Sequence, residues 1–319
     1  MLISIVLSFR NEQETIPELI ERLHNSLRPL NIEYEFIFVN DASTDNSLGI
    51  LLEMQKNDRC IKIINMSRRF GVSQCVLAGM KYSKGDAVVY MDADLQDPPE
   101  LIPEMSKKWK EGADVVYTTR ITRSGENPIK MWTTKMSYRF LRLFSEVDLP
   151  LDSGDFKLLD RRVVNELLKM NEKDPFLRGL VTWIGFKQVQ VLYHREKRFA
   201  GKTHYPLYGI GPIKAFISGL TSFSLVPLTI SLLIGFIVSI GSFVYLVIII
   251  IMKFLNLILP GLSAIMAIIL LLGGIQLFTI GILGLYIGRI YHESKNRPNY
   301  VIESMIGLND KNTDRDNER

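Results

Sequence analysis

The 319-residue chain carries 38 Lys and Arg against 34 Asp and Glu, a formal charge of +4, and two cysteines. So mild a basicity gives no reason to invoke nucleic acid, although it suits an anionic membrane face. Cys60 and Cys75 make no metal-ligand spacing and at most one bridge, which excludes a disulfide scaffold and reads as free thiols of a reducing compartment. From Ser222 to Gly288 the single charged residue is Lys253, and an apolar run of that length cannot be hidden in a soluble core of this size. A wholly soluble protein is excluded.

Met1 to Leu7 is too short, and lacks the basic start, to be a signal peptide. Up to Arg120 the chain alternates short β-branched runs with amphipathic stretches. Ile3 to Leu7, Phe36 to Val39, Ile61 to Ile64, Ala87 to Met91 and Val115 to Tyr117 read as buried strands, and Thr15 to Leu27 and Ser47 to Gln55 as helices between them. This rhythm predicts an α/β fold with a parallel sheet covered on both faces, whose ligands lie beyond the carboxyl ends of the strands. Each run ends in polar residues there: Ser8 through Glu12, Asn40 and Asp41, Ser67 to Arg69, Asp92 to Asp94, and Arg120. These ends are mainly carboxylate, with Arg68 and Arg120 as counterweights. No strand leads into a Gly-x-Gly-x-x-Gly turn or a Walker loop, which argues against dinucleotide enzymes and P-loop nucleotidases. At Met91-Asp92-Ala93-Asp94 a buried strand runs straight into two acids, and Pro98-Pro99 stops the sheet beyond them. Acids held at a strand end are costly unless paired, and a hard divalent cation with a diphosphate is their natural partner. Asp97 and Glu100 also read as first-turn helix acids, an assignment accepted for Glu100.

Further along, Met131 to Val147 predicts a helix with Trp132, Met136, Phe140, Leu143 and Val147 on one side and Lys135, Arg139 and Arg142 on another, either core plus solvated face or a basic face beside anionic lipid. After Pro212, the spacing of Ile213, Phe216, Ile217 and Leu220 makes one apolar face, which either lies in the headgroup plane or packs on the preceding domain. Leu225 to Met252 would be about 42 Å long as a helix against a hydrocarbon core of about 30 Å. Leu262 to Gly288 is a second such run, and Asn256 to Gly261 supplies the turn of a hairpin. Arg195, Lys197, Arg198, Lys202 and Lys214 precede the first span and Arg289, Lys295 and Arg297 follow the second, so both ends are expected in the cytoplasm. The expected organisation is a catalytic domain over 1–204, a juxtamembrane helix over 205–223, a hairpin over 224–289 with spans 225–252 and 262–288, and a cytoplasmic tail over 290–319. Asp310 to Arg319 is polar enough to be disordered. His24, His194, His204 and His292 have no zinc spacing.

Asn11-Glu12, then Val39-Asn40-Asp41-Ala42-Ser43-Thr44-Asp45, then Asp92-Ala93-Asp94-Leu95-Gln96-Asp97-Pro98-Pro99-Glu100, in this order at these strand ends, resemble the family-two inverting glycosyltransferases of the GT-A fold. Ser153-Gly154-Asp155-Phe156-Lys157-Leu158-Leu159-Asp160-Arg161-Arg162, Arg178-Gly179-Leu180 and Arg198-Phe199-Ala200-Gly201-Lys202-Thr203, followed by two spans, resemble the polyprenyl-phosphate glycosyltransferases of the phage bactoprenol type and, more distantly, dolichyl-phosphate mannose synthase. The resemblance covers nearly the whole chain up to Asn309. It implies a Rossmann-like GT-A domain that transfers one hexose, of glucose type from a UDP donor, with inversion to undecaprenyl or another polyprenyl phosphate at the cytoplasmic face of the plasma membrane. By position it implies that Ser8, Glu12, Asp41, Asp92 and Gln96 serve the donor, that Asp94 with Asp92 holds Mg2+ or Mn2+, and that Asp155 is the catalytic acid residue. Arg198 and Lys202 match the basic loop beside the acceptor phosphate, and Arg120 joins them as a cation at the same rim.

The chain departs from the pattern at Ser8 and Arg10, where many relatives have Pro and an aromatic ring, and at Ala42, where Gly is usual. It also lacks the Gln-x-x-Arg-Trp of processive polysaccharide synthases. An acceptor phosphate is largely deprotonated at neutral pH, so Asp155 is expected to orient the acceptor, hold the metal or stabilise the sugar cation at least as much as to take a proton. Two alternatives stay open: a transferase with a protein or soluble sugar acceptor, and a non-catalytic membrane module that binds a nucleotide sugar and recruits a flippase or polymerase. The apolar hairpin could also pair with other copies.

Overall fold

The computed structural model describes residues 1–123, 139, 153–195, 199, 219–255 and 261–308, and divides into a unit of Met1–Phe216 with Arg297–Arg319 and a unit of Ile217–Asn296. In the first unit β1 (Leu2–Phe9), β2 (Glu33–Asn40), β3 (Ile61–Met66), β4 (Ala87–Asp92), β5 (Val115–Arg123), β6 (Ser153–Asp160), β7 (Gln188–Arg195) and β8 (Ile302–Ile306) form one sheet. Its order is β7-β5-β6-β4-β1-β2-β3-β8. The pairs β1–β2, β1–β4, β2–β3 and β5–β7 are parallel, while β6 runs antiparallel to both β4 and β5, and β8 antiparallel to β3. This is the expected Rossmann-like, mainly parallel GT-A sheet.

β1 is buried from Ile3 to Phe9 on both faces, which is why the run is apolar without alternation. On one face α1 (Ile16–Leu27) presents Ile16, Leu19, Ile20, Leu23 and Leu27 at helical spacing to Ile5, Leu7, Phe36 and Phe38, each fully or nearly buried. Each such side chain contributes about 1.5–3 kcal/mol. On the other, α3 (Val72–Tyr82) lies so close to β1 that a Cβ on Gly79 would fall 2.3 Å from Val6 Cγ1. Between them in sequence is α2 (Ser47–Asn57); α4 (Ile102–Lys110), α5 (Arg161–Lys169) and α6 (Leu177–Trp183) follow. Asp160 caps α5 by accepting from the Arg162 amide at 2.9 Å.

Three strands lie outside the expected set. The start of β6 looks like loop because Ser153, Gly154 and Asp155 are poor strand formers, and β7 alternates so strongly polar that it hides its pattern. β8 falls within the tail expected over 290–319: Ile302–Ile306 pairs with β3, and Ile306 packs on the core. β5 also runs on through Arg123, so Arg120 lies inside the strand and does not end it.

The second unit contains α7 (Val226–Phe254) and α8 (Leu262–Ser294), apolar all round and long enough to cross a bilayer. Leu232, Phe236, Phe243, Leu277 and Phe278 are among its exposed side chains, a pattern foreign to the core helices of a soluble protein. Tyr286 donates to the Ser224 carbonyl at 2.7 Å and Arg289 Nη1 to Thr221 Oγ1 at 3.0 Å, tying the start of α7 to the end of α8. The expected helix Met131–Val147 apart from Arg139, most of the juxtamembrane helix, Arg198, Lys202, His204 and Asp310 to Arg319 lie outside the described residues.

Candidate active site

The carboxyl ends of β1, β2 and β3 meet in loops laced by side chains. Thr44 N donates to Asn11 Oδ1 at 2.7 Å, Asn11 N to Ser43 Oγ at 3.0 Å, and Glu12 N to Ser47 Oγ at 2.9 Å. Asp41 is buried, and its carboxylate accepts from the amides of Phe70 at 2.6 Å and Gly71 at 3.1 Å, just ahead of α3. Glu12 is also buried and accepts from Thr15 Oγ1 at 3.2 Å. Both acids therefore organise the loops of the expected donor pocket from beneath. Ser8 lies beside Asp92 in the β1–β4 register, and its buried hydroxyl has no partner among the described residues. Arg10 Nη1 donates to the Asp41 carbonyl at 3.3 Å, which ties the end of β1 to the end of β2. Asn11, Ala42 and Leu95 each have positive φ, at 55°, 52° and 56°, so all three strand-end turns are strained, a frequent feature of functional sites. At Ala42 the left-handed backbone is the physical reason Gly is usual.

Past β4 the inside-outside alternation persists through the loop. Asp92, Asp94 and Gln96 are half-buried on the open side while Ala93, Leu95 and Asp97 are buried. Gln96 N donates to Asp94 Oδ1 at 3.2 Å. Asp97 turns inward, accepts from the Tyr193 hydroxyl, and lies 3.7 Å from Arg120 Nη2 and 3.9 Å from Arg195 Nε. Arg120 Nε donates in turn to Tyr193 at 3.0 Å, and its side chain is 10% exposed. Arg120, expected at the acceptor rim, thus links the Asp-x-Asp loop to β5 and β7 and also acts on Asp155.

Antiparallel β6 assembles the rest. Tyr90 is level with Lys157, so two residues further on Asp92 is level with Asp155, and all four side chains share one face. Arg178, from the first turn of α6, clasps Asp155 with Nε to Oδ1 at 2.7 Å and Nη2 to Oδ2. Burial pushes the Asp155 carboxyl up, but the Arg178 guanidinium outweighs it, with help from Lys157 and Arg120, and holds it down to about 2. Asp92 moves the other way: burial first, then the charges of Asp94, Asp155 and Asp97, push it far above the carboxylate range. Lys157 is 2% exposed, and burial drives its ammonium down to about 8. Sequence reasoning missed Arg178, Lys157 and Asp97 as site residues. The signal for Lys157 was present, since Asp155 and Lys157 alternate with apolar Phe156 and Leu158.

Among the described residues no three His, Cys, Asp or Glu side chains form a metal-binding group. The site nevertheless fits a divalent cation: Asp94 is half-buried on the open side, and Asp92 is crowded by negative charge that a cation would relieve.

The glycosyl transferase family 2 model matches residues 4–168, spanning the Asp-x-Asp loop and Asp155. The chain is 45% identical over 314 residues to the uncharacterized glycosyltransferase YkcC of Bacillus subtilis, covering 98% of this chain and 97% of that one. To the bactoprenol glucosyl transferase of Shigella phage SfV it is 36% identical over 306 residues, covering 95% and 99%. To the prophage bactoprenol glucosyl transferase homolog of Escherichia coli it is 35% identical over 307 residues, covering 96% and 99%. The matches cover nearly the whole chain, and on them the chain belongs to glycosyl transferase family 2.

Proposed function

We propose that the protein transfers a single hexose, of glucose type and from a UDP donor, to the phosphate of a membrane polyprenol, with inversion at the anomeric carbon. The observation that carries this reading is the two-pronged clasp of Arg178 on Asp155 beside Asp92. A carboxylate gripped by a guanidinium is held ionised and is a poor acceptor for the proton of a sugar or serine hydroxyl. It suits a nucleophile that arrives already ionised, and a phosphate monoester, with a second pKa of about 6, is one. A phosphate oxygen attacks the anomeric carbon from the face opposite the diphosphate. The carbon–oxygen bond to the β-phosphate breaks, its electron pair leaves with the nucleoside diphosphate, and no proton need move.

Asp155 stabilises the developing positive charge of the sugar ring from beside Asp92, and Arg178 keeps it ionised. Asp94, with Asp92, would hold Mg2+ or Mn2+, which when bound supplies Lewis-acid stabilisation of the departing diphosphate. The apolar hairpin supports a lipid acceptor. Because β8 follows the hairpin and pairs with β3, the chain leaves and re-enters the same unit, so two crossings return it to the side it left. The basic residues flanking the spans favour the cytoplasmic side.

The test is to incubate the full chain in detergent with Mg2+ or Mn2+, undecaprenyl phosphate and a panel of radiolabelled sugar nucleotides, and to count label extracted into organic solvent. Labelled lipid from UDP-glucose is expected. Label that stays in water with every donor, or that enters a non-phosphorylated acceptor equally well, refutes the reading.

A further inference from the structure

The turns after β1 and β2, which lead to Glu12 and follow Asp41, are left-handed at Asn11 and Ala42. Strained backbone of this kind persists only where its surroundings fix it. Part of the fixing is local, through the bonds between Asn11 and the pair Ser43 and Thr44. The rest arrives from the edge of the sheet. Ser43 N donates to Asn40 Oδ1 at 2.9 Å, Asn40 Nδ2 to Asn65 Oδ1 at 2.7 Å, and Asn65 Nδ2 to Glu303 Oε2 at 2.6 Å, so the chain of bonds crosses from β2 through β3 to β8. Its direction is set at both ends. A backbone N–H only donates and a carboxylate only accepts, which leaves each asparagine amide one orientation. Bonds in such a series polarise one another, and a charged terminal acceptor strengthens them. Asn40 is buried, so an amide left unpaired there would be costly.

The β3–β8 register passes from Asn65 opposite Ser304 to Met66 opposite Ile302, which makes Glu303 the extra residue of a bulge. Bulges re-aim a side chain and are common beside active sites. β8 lies beyond residues 4–168, to which the family model is confined, and only Lys295 to Val301 separate it from the second apolar helix. It reaches Asp41 by a second route as well. Ser67 N donates to the Val301 carbonyl at 3.1 Å, fastening the segment that leads to Phe70 and Gly71, whose amides hold the Asp41 carboxylate.

We propose that Glu303, acting through Asn65 and Asn40, is a positioning residue for the nucleotide donor: it fixes the turn after β2 and so sets Asp41 and the adjoining β1 loop in the geometry that binds a nucleoside diphosphate. This rests on the nucleotide-sugar donor proposed above. The chain of bonds runs to the donor-side loops and not to Asp155 or Arg178, so its effect falls on donor binding and leaves the acceptor alone. Glu303 is exposed and makes its contribution through one bond, whereas Asn65 is bonded on both sides and its loss interrupts the series.

The experiment compares the parent with Glu303→Ala, Glu303→Gln and Asn65→Ala, all as full chains in detergent. Initial rates are measured with UDP-glucose and undecaprenyl phosphate varied in turn, and UDP affinity is measured by calorimetry with Mn2+ and no acceptor. Glu303→Ala is expected to raise the donor KM and the UDP Kd about fivefold, the loss of one net hydrogen bond, and Asn65→Ala about tenfold or more. The acceptor KM should stay within about twofold of the parent in both. Glu303→Gln keeps an oxygen for the Asn65 amide and should restore donor KM and UDP affinity to within about twofold. Where Asn65→Ala fails to fold, the two variants at exposed Glu303 carry the test. Variants that melt earlier but keep parental donor KM and UDP affinity would reduce β8 to a brace of the sheet and overturn the proposal, as would a Gln variant no better than Ala. A parent that binds no UDP refutes the donor and this inference together, whereas a parent that binds UDP but labels no lipid refutes the acceptor alone and leaves the calorimetric comparison standing.

Discussion

Replacing Lys157 by Met should make the protein more stable and slower. Lys157 is 2% exposed, between Tyr90 and Tyr117 in the register of β4, β6 and β5. Burial moves its ammonium from 10.5 to about 8, with Asp155 opposing and Arg178 adding to the drop. At about 1.4 kcal/mol per tenfold change, this destabilises the charged form by about 3 kcal/mol. Methionine fills similar space without the charge, but it also removes one of the cations that steady Asp155, so the net gain should be about 1 to 2 kcal/mol. For a unit of this size that is a rise in melting temperature of roughly 3 to 6 °C. Because the folded value lies below the unfolded one, the native state binds fewer protons between pH 8 and 10.5, and the parent gains stability as pH rises through that window. The advantage of the variant is therefore full below pH 8 and gone above 10.5. Melting curves of both full chains in detergent at pH 7 and pH 10 measure it. A variant that melts below the parent at pH 7, or an advantage that does not shrink toward pH 10, would refute the account of Lys157 as an enclosed, poorly compensated charge.

Ala42→Gly should raise stability by about 0.5–1 kcal/mol, the left-handed strain at φ 52° outweighing the entropy of the added glycine; urea titration of the two proteins decides it. Asp94→Asn, or treatment of the parent with EDTA, should remove lipid labelling without lowering the melting temperature, and added Mn2+ or Mg2+ should restore only the parent. Truncation before Arg297 strips β8 from β3 and with it the Glu303 carboxylate that accepts from Asn65 at 2.6 Å, which in turn accepts from Asn40 at 2.7 Å beside Asp41. A fall of several degrees in melting temperature together with a severalfold rise in donor KM is expected; an unchanged donor KM in a protein that still folds would sever that chain from the donor pocket.

Much of the molecule was legible because the information was local. The β-branched runs of β1 to β4 and the amphipathic face of α1 are periodicities within single segments, and Asp92 and Asp94 stand at the only end a buried strand of that direction can offer a ligand. The apolar hairpin needed nothing beyond the count of charges. Asp155 entered as a site residue through family resemblance, and its chemistry could not be read that way. A start of Ser-Gly-Asp resembles loop, and only the antiparallel insertion of β6 beside β4 brings Asp155 level with Asp92.

Arg120 illustrates the converse. Its position near a strand end was legible, but its partners were not: Asp97 and Tyr193 arrive from the Asp-x-Asp loop and from β7, and Arg178 from α6 clasps Asp155. The order of elements, the strand-end carboxylates and the long apolar helices follow from neighbours in sequence, whose spacing the chain itself records. Which cation meets which acid, and which lysine is shut away from water, follow from strands that pair across long stretches of chain, and electrostatics acts through the space those pairings create.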